Sequence, residues 1–365
     1  MKKDITKYFI CTILCVLLVL SGCNPAETSY TTLITTPPSS SQPGSSSAPA
    51  SPVSSEPETA KPAAAPLIEG IGLDNYPSIN GSTANHPLIA RLYAELCSLP
   101  LEDAETLVEL DIGSTGSIWQ RFLNGYGPDL LIAYEPPEEI KAQFSEKLEQ
   151  FEIDPLGRDG LVFLANANNP VENLTVEQLQ QIYTAKLTDW SEVGGEKGPI
   201  QPFQRNADSG SQTLFLKLLM TDGLTPMDPP TELVQETMGG LIDGVAAFDG
   251  EGSSLGYSVY YYANLMYANP DLKLLAVDGV EPTNESIQSG KYPLINDFYV
   301  AIRSDEPQDS PARRVRDWLL SDEGRALMEG ENYVWAREGL PPESRGAGNI
   351  FSQPLCGLPL AEAKG

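Results

Sequence analysis

From Pro66 onward, roughly 300 residues alternate short apolar runs with amphipathic stretches. This alternation constrains the fold more than any other feature. Strands are expected at residues 107–112, 130–133, 161–165, 272–277 and 298–302. Helices are expected at 87–99, 117–123, 176–185, 212–220, 233–238 and 313–328. Strands and helices interleaved in this way specify an α/β fold. A body of this size is large for one core, so two lobes are expected. One helix start is sharply marked: Thr175 and Gln178 have capping-box spacing, and Leu179, Ile182 and Tyr183 follow on one face.

The first 65 residues have a different character. Lys2, Lys3 and Lys7 precede an apolar run from Tyr8 to Leu20, too short to span about 30 Å of hydrocarbon. It reads as a secretory signal. It ends in Leu20-Ser21-Gly22-Cys23, which resembles a bacterial lipobox, where the Cys is diacylated and becomes the new N-terminus. Two acyl chains anchor stably where one does not. From Asn24 to about Ala65 the chain is dominated by Ser, Thr, Pro and Ala. Such a tract cannot bury enough surface to offset chain entropy and reads as a disordered tether.

Charge and residue counts remove several function classes. The formal charge is −27, from 23 Lys and Arg against 50 Asp and Glu. A nucleic-acid partner would need a basic face, and a polybasic hold on anionic lipid is equally disfavoured. One His cannot build a multi-His metal site. Of the five Cys, Cys11, Cys15 and Cys23 fall in the leader and at the lipid site. Cys97 and Cys356 remain, as a disulfide or as free thiols, with Cys97 on an expected helix.

Three small-residue loops each open a helix. They are Asn80-Gly81-Ser82-Thr83, Gly113-Ser114-Thr115-Gly116-Ser117 and Arg205-Asn206-Ala207-Asp208-Ser209-Gly210-Ser211. The first turn of a helix leaves unpaired N–H groups and a partial positive charge. Each loop alone is an ordinary cap. Three together, one with an Arg four residues before its Ser, suit a tetrahedral oxyanion held by neutral donors and one guanidinium. No Walker-type phosphate loop or Gly-x-Ser-x-Gly elbow is present. His86, at the opening of the first helix, reads as a solvated or capping residue. Asp249-Gly250-Glu251-Gly252 lacks EF-hand spacing and reads as a turn.

Residues 169–195, NPVENLTVEQLQQIYTAKLTDWSEVGG, resemble the phosphate-binding lipoproteins of bacterial ABC-type phosphate uptake systems. Arg205-Asn-Ala-Asp208-Ser209-Gly210-Ser211 resembles that family's anion loop, and Leu255-Gly256-Tyr257-Ser258 its Ile-Gly-Tyr strand. Tyr292-Pro293-Leu294 with residues 298–302 resembles the return crossing, and Trp318 to Gly324 the late helix. The resemblance spans about Ile71 to Pro341. It implies a two-lobed type II periplasmic-binding-protein fold, with lobes joined by two extended crossings, and no catalysis or cofactor.

Carried over residue by residue, the resemblance implies phosphate ligation by Ser82, Thr83, Ser114, Thr115, Arg205, Ser209, Gly210 and Ser211. It implies that Asp208 orients Arg205. Where relatives place an acid after the strand at 130–133, this chain has Tyr134-Glu135, so Glu135 is the implied proton acceptor. The expected organisation is a signal peptide (1–22), a lipidated Cys and tether (23–65), lobe I (66–160 plus 296–345), lobe II (161–295) and a tail (346–365). The implied partners are inorganic phosphate, the permease subunits and, through the lipid, the extracytoplasmic face of the membrane. The chain is expected to be monomeric. The alternative is a sensory or surface-interaction protein of the same fold, taking another oxyanion, a phosphorylated metabolite or a partner protein.

Overall fold

The computed structural model describes residues 67–108, 113–248 and 253–336. The signal, Cys23, the tether, Cys356 and the Asp249–Gly252 turn lie outside the described residues. Two long antiparallel strands, β3 (Phe151–Asn166) and β11 (Ile295–Arg303), pair from Phe151 and Arg303 to Gly160 and Ile295. In the first lobe β2 (Leu130–Tyr134) lies antiparallel to β11 and parallel to β1 (Ile79–Gly81). There β12 (Val334–Trp335) also pairs with β3. At Leu161 β3 changes partners. Its second half pairs with β8 (Ser253–Val259) and β9 (Leu272–Leu274), and β8 carries β5 (Ile200–Pro202) in parallel. The sheet path is β1-β2-β11-β3-β8-β5, so the two lobes share one strand. Two small ribbons complete the second lobe: β4 (Asn173–Leu174) with β10 (Ala276–Val277), and β6 (Gln204–Arg205) with β7 (Val234–Gln235).

The alternation of side chains along β2 puts helices on both sheet faces. Leu130, Ile132 and Tyr134 join the core formed by Leu88, Leu92 and Leu96 of α1 (His86–Cys97). Leu131 and Ala133 face the other way, onto Ile118, Trp119 and Phe122 of α2 (Thr115–Leu123). In the second lobe α3 (Val176–Tyr183) begins at the expected capping box: Thr175 Oγ1 accepts from the Gln178 N–H at 3.0 Å, and Gln178 Oε1 from the Thr175 N–H at 2.9 Å. Among the described residues no helix is long and apolar enough to cross a membrane. Cys97 carries a free, buried thiol, which burial pushes above its ordinary pKa.

Several element expectations are corrected. Residues 313–328 form two helices, α6 (Pro311–Leu319) and α7 (Asp322–Gly330). The break is Ser321, which caps α7, followed by Gly324. A Cβ on Gly324 would lie 2.4 Å from the Trp318 carbonyl oxygen. Residues 233–238 are not a helix: Val234 and Gln235 form β7, and α5 (Met238–Ala246) starts only after its cap, Thr237. The expected strand at 272–277 splits into β9 and β10 because it moves from β3 to β4. Of the expected strand at 107–112, Leu107 and Val108 form a turn after the helix Leu101–Glu105, and 109–112 lie outside the described residues.

A buried carboxylate sits where the lobes meet. Asp159 on β3 accepts from Tyr134 Oη at 2.7 Å, the Gly160 N–H at 2.7 Å and the Tyr261 N–H at 3.2 Å. Burial pushes its carboxyl up to about 6, against the lowering effect of these donors. The unfolded value is about 3.9, so the fold favours the protonated acid. The stability this group confers is complete below about pH 4 and is lost as pH rises through about 6. Asp159→Asn is expected to remove that decline, a difference on the order of 2–3 kcal/mol between the ends of the window. Denaturant unfolding at a series of pH values checks this; an unchanged pH slope in the variant refutes it.

Candidate functional site

The three helix-opening loops converge on one cleft of about 510 Å³. Each owes its position to a strand or a cap. β1 ends at Gly81, and Ser82 then begins a short 3-10 turn, Thr83–Asn85, ahead of α1. Ser114 caps α2, its side chain accepting from the Ser117 N–H at 3.2 Å. Ser209 caps α4 (Gly210–Leu218), accepting from the Gln212 N–H at 3.0 Å. Ser82, Thr83, Ser114, Thr115, Arg205, Ser209, Gly210 and Ser211 all line the cleft. Their hydroxyls are close together: Ser82 Oγ lies 3.2 Å from Thr115 Oγ1, and Ser209 Oγ 3.2 Å from Ser211 Oγ.

The lobes touch beside the cleft. The Gly116 N–H donates to the Asp208 carbonyl at 3.2 Å. A Cβ on Gly210 would lie 2.5 Å from Thr115 Oγ1, so this approach needs glycine.

Arg205 is the strongest electrostatic feature of the wall. Its Nε donates to the Gln235 carbonyl at 2.9 Å, Nη2 to the Glu236 carbonyl at 2.9 Å and Nη1 to Ser211 Oγ at 3.3 Å. All three acceptors are neutral, and among the described residues no carboxylate pairs with it. Burial pushes its guanidinium down to about 10, which leaves it charged at neutral pH. A buried cation without a counter-ion is costly. An anion bound in the cleft would relieve that cost.

Two expectations are corrected. Asp208 does not orient Arg205: its side chain is exposed, and the guanidinium is fixed by carbonyls of the β7 segment. Glu135 does not line the cleft. It is 2% exposed and ion-paired with Lys141 at 2.6 Å and with Lys217 of α4. The reason is strand geometry: Tyr134 faces the cleft, so the next residue points the other way. Glu135 thus ties lobe to lobe instead of meeting a ligand.

The cleft also contains residues not expected to line it. His86, expected to be a solvated or capping residue, lines the wall with Tyr134, Asn206 and Tyr262. Glu236, Thr237, Met238 and Gly239 bring a fourth helix N-terminus, that of α5. Thr237-Met238-Gly239-Gly240 is an N-cap pattern, since Thr237 accepts from the Gly240 N–H at 2.9 Å. That signal was masked by the expectation of a helix running across 233–238. Among the described residues no group of three His, Cys, Asp or Glu could hold a metal ion.

Comparison with known proteins agrees with this geometry. Residues 73–323 match the family model of the PBP superfamily domain. The phosphate-binding protein PstS of Bacillus subtilis is 24% identical over 261 residues, 70% of this chain and 79% of that protein. The phosphate-binding protein PstS of Borreliella burgdorferi is 25% identical over 180 residues, 48% of this chain and 63% of its own length. The crystal structure of an ABC-type phosphate transport receptor from Vibrio cholerae superposes with a TM-score of 0.52 at 26% identity, covering 70% of this chain and 98% of that one. Two lobes hung on shared crossing strands, a cleft between them and a family match across most of the described body have one reading: the chain belongs to the PBP superfamily.

Proposed function

We propose that the chain is an extracytoplasmic receptor, not an enzyme, that binds inorganic phosphate between its lobes and delivers it to an ABC permease. The observation that carries this reading is Arg205: a buried guanidinium with neutral acceptors only, on a wall of hydroxyls and helix N-termini. Such a wall suits a tetrahedral oxyanion. The names of the Bacillus and Borreliella relatives support phosphate as that oxyanion. In this reading Ser82, Thr83, Ser114, Thr115, Ser209, Gly210 and Ser211 surround the ligand with Arg205. The lobes are 66–160 plus 296–345 and 161–295, the protein is a monomer, and diacylated Cys23 holds it at the membrane by the 24–65 tether.

Calorimetric titration of the purified full-length chain tests the reading. One phosphate per chain is expected to bind. No heat at millimolar phosphate overturns it. Binding of a different oxyanion in preference to phosphate would favour the sensory alternative.

A further inference from the structure

Glu135 carries two ion pairs of different kinds. The pair with Lys141 of the short helix Glu138–Gln143, at 2.6 Å, stays within the first lobe, where Lys141 also meets Glu138 at 2.7 Å. The pair with Lys217 crosses to the second lobe. The Lys217 ammonium also donates to Asn296 Oδ1 at 2.8 Å, where the crossing strand β11 begins.

Lys217 belongs to the second lobe because α4 is clamped there. Phe215 stacks on Tyr257 of β8, with ring centroids 4.6 Å apart, and meets Tyr183 of α3 edge-on at 4.8 Å. All three rings are buried, so α4 moves with that lobe. Its N-terminus puts Ser209, Gly210 and Ser211 on the cleft wall, and Lys217 follows about two turns later. One helix thus lines the cleft at one end and holds the first lobe's carboxylate near the other.

The charges are arranged so that this bond can break and re-form. A buried carboxylate stripped of every partner is costly. When the lobes part, buried Glu135 keeps Lys141, and the Lys217 side chain, already 41% exposed, passes into water. Neither charge is stranded in the open form.

We propose that Lys217 is a positioning residue for ligand capture: its bond to Glu135 holds the lobes closed over the cleft and sets how long bound phosphate stays. The proposal rests on the phosphate-receptor reading above. Lys217 does not line the cleft; it acts through α4 and the lobe that carries it. Breaking the bond multiplies the ratio of open to closed chain. The affinity of a ligand held by the closed form then falls by up to the same factor.

The test measures phosphate affinity by calorimetry, and release with radiolabelled phosphate, on the full chain. Lys217→Met keeps the apolar stem, removes the ammonium and leaves Glu135 paired with Lys141. It is expected to weaken binding about 5- to 30-fold, chiefly through faster release. Lys217→Arg, which keeps the charge, is expected to restore most of the loss. Lys141→Met removes the ion pair that stays inside one lobe and is expected to leave the release rate near wild type. Unchanged affinity and release in Lys217→Met overturn the proposal and leave the receptor reading intact. An equal loss in Lys141→Met also overturns it.

Amide hydrogen exchange gives a readout that needs no ligand. The Gly116 N–H donates to the Asp208 carbonyl of the other lobe, so it exchanges when the lobes part. In unliganded Lys217→Met its exchange is expected to speed up, while the amides of the β2–β11 ladder keep their wild-type rates. Acceleration of both together marks a general loss of stability and overturns the proposal, as does unchanged exchange at Gly116. A wild-type chain that binds no phosphate overturns the receptor reading, and the exchange comparison then decides by itself whether Lys217 holds the lobes closed.

Discussion

Arg205→Ala is expected to weaken phosphate binding by about 2–5 kcal/mol, the range for truncating one partner of a buried charge pair. The guanidinium is already aimed before any ligand arrives. Two of its nitrogens are committed to the carbonyls of Gln235 and Glu236, and Nη1 reaches toward Ser211. Binding therefore requires little reordering of the side chain, and most of the Coulombic gain reaches the complex. Arg205→Lys keeps the charge but loses the planar fork and is expected to fall between the two. Calorimetric titration reads the result directly. Unchanged affinity in Arg205→Ala would mean that the cation does not meet the ligand. The unliganded protein gives a second readout. Removing a buried cation that lacks a counter-ion is expected to leave its unfolding free energy equal or higher, despite three lost hydrogen bonds.

Trp119→Ala is expected to destabilise the fold by about 3–5 kcal/mol, the usual cost of deleting a fully buried large aromatic. Trp119 has no exposed surface. It packs edge-to-face on Phe122, with centroids 6.0 Å apart. Its Nε1–H donates to the Tyr134 carbonyl at 2.7 Å, and alanine would leave that acceptor buried and unpaired. Equilibrium denaturation measures the loss, and a change below about 1 kcal/mol would contradict it. The substitution also reaches the cleft: α2 presents Ser114 and Thr115 at its N-terminus, and Tyr134 lines the same cleft. One indole therefore holds two cleft-lining segments in register.

The parts of this protein that were legible in its sequence are those governed by local chemistry. The Thr175 capping box, the β2 apolar run and the three Gly/Ser/Thr loops each carry their cause within a few residues. That Arg205 and the hydroxyls line one cleft followed from family resemblance joined to loop chemistry. What failed depended on the direction of side chains in space. Glu135 was assigned by position after a strand, but one step along a strand reverses the face, and two lysines from separate helices claim its carboxylate. Asp208 was assigned by its neighbours in sequence, whereas Arg205 is held by carbonyls some 30 residues away. His86 looked like a capping residue because nothing local shows that α1 opens onto a cleft. The single run expected at 313–328 hid a second cap at Ser321 within an unbroken amphipathic pattern.

The paired crossing strands have a mechanical consequence. A single strand between lobes would act as a swivel, free to bend and rotate. Here β3 and β11 remain hydrogen-bonded to each other up to the point where β3 changes sheets, at Gly160 and Ile295. Two bonded strands form a ribbon, which flexes easily across its flat face and resists bending within its plane. The joint therefore bends more easily across the ribbon's face than within its plane. The Asp208 and Gly116 loops that touch beside the cleft would part and meet again along the same arc, so their alignment is set by the ribbon and does not have to be searched for at each encounter.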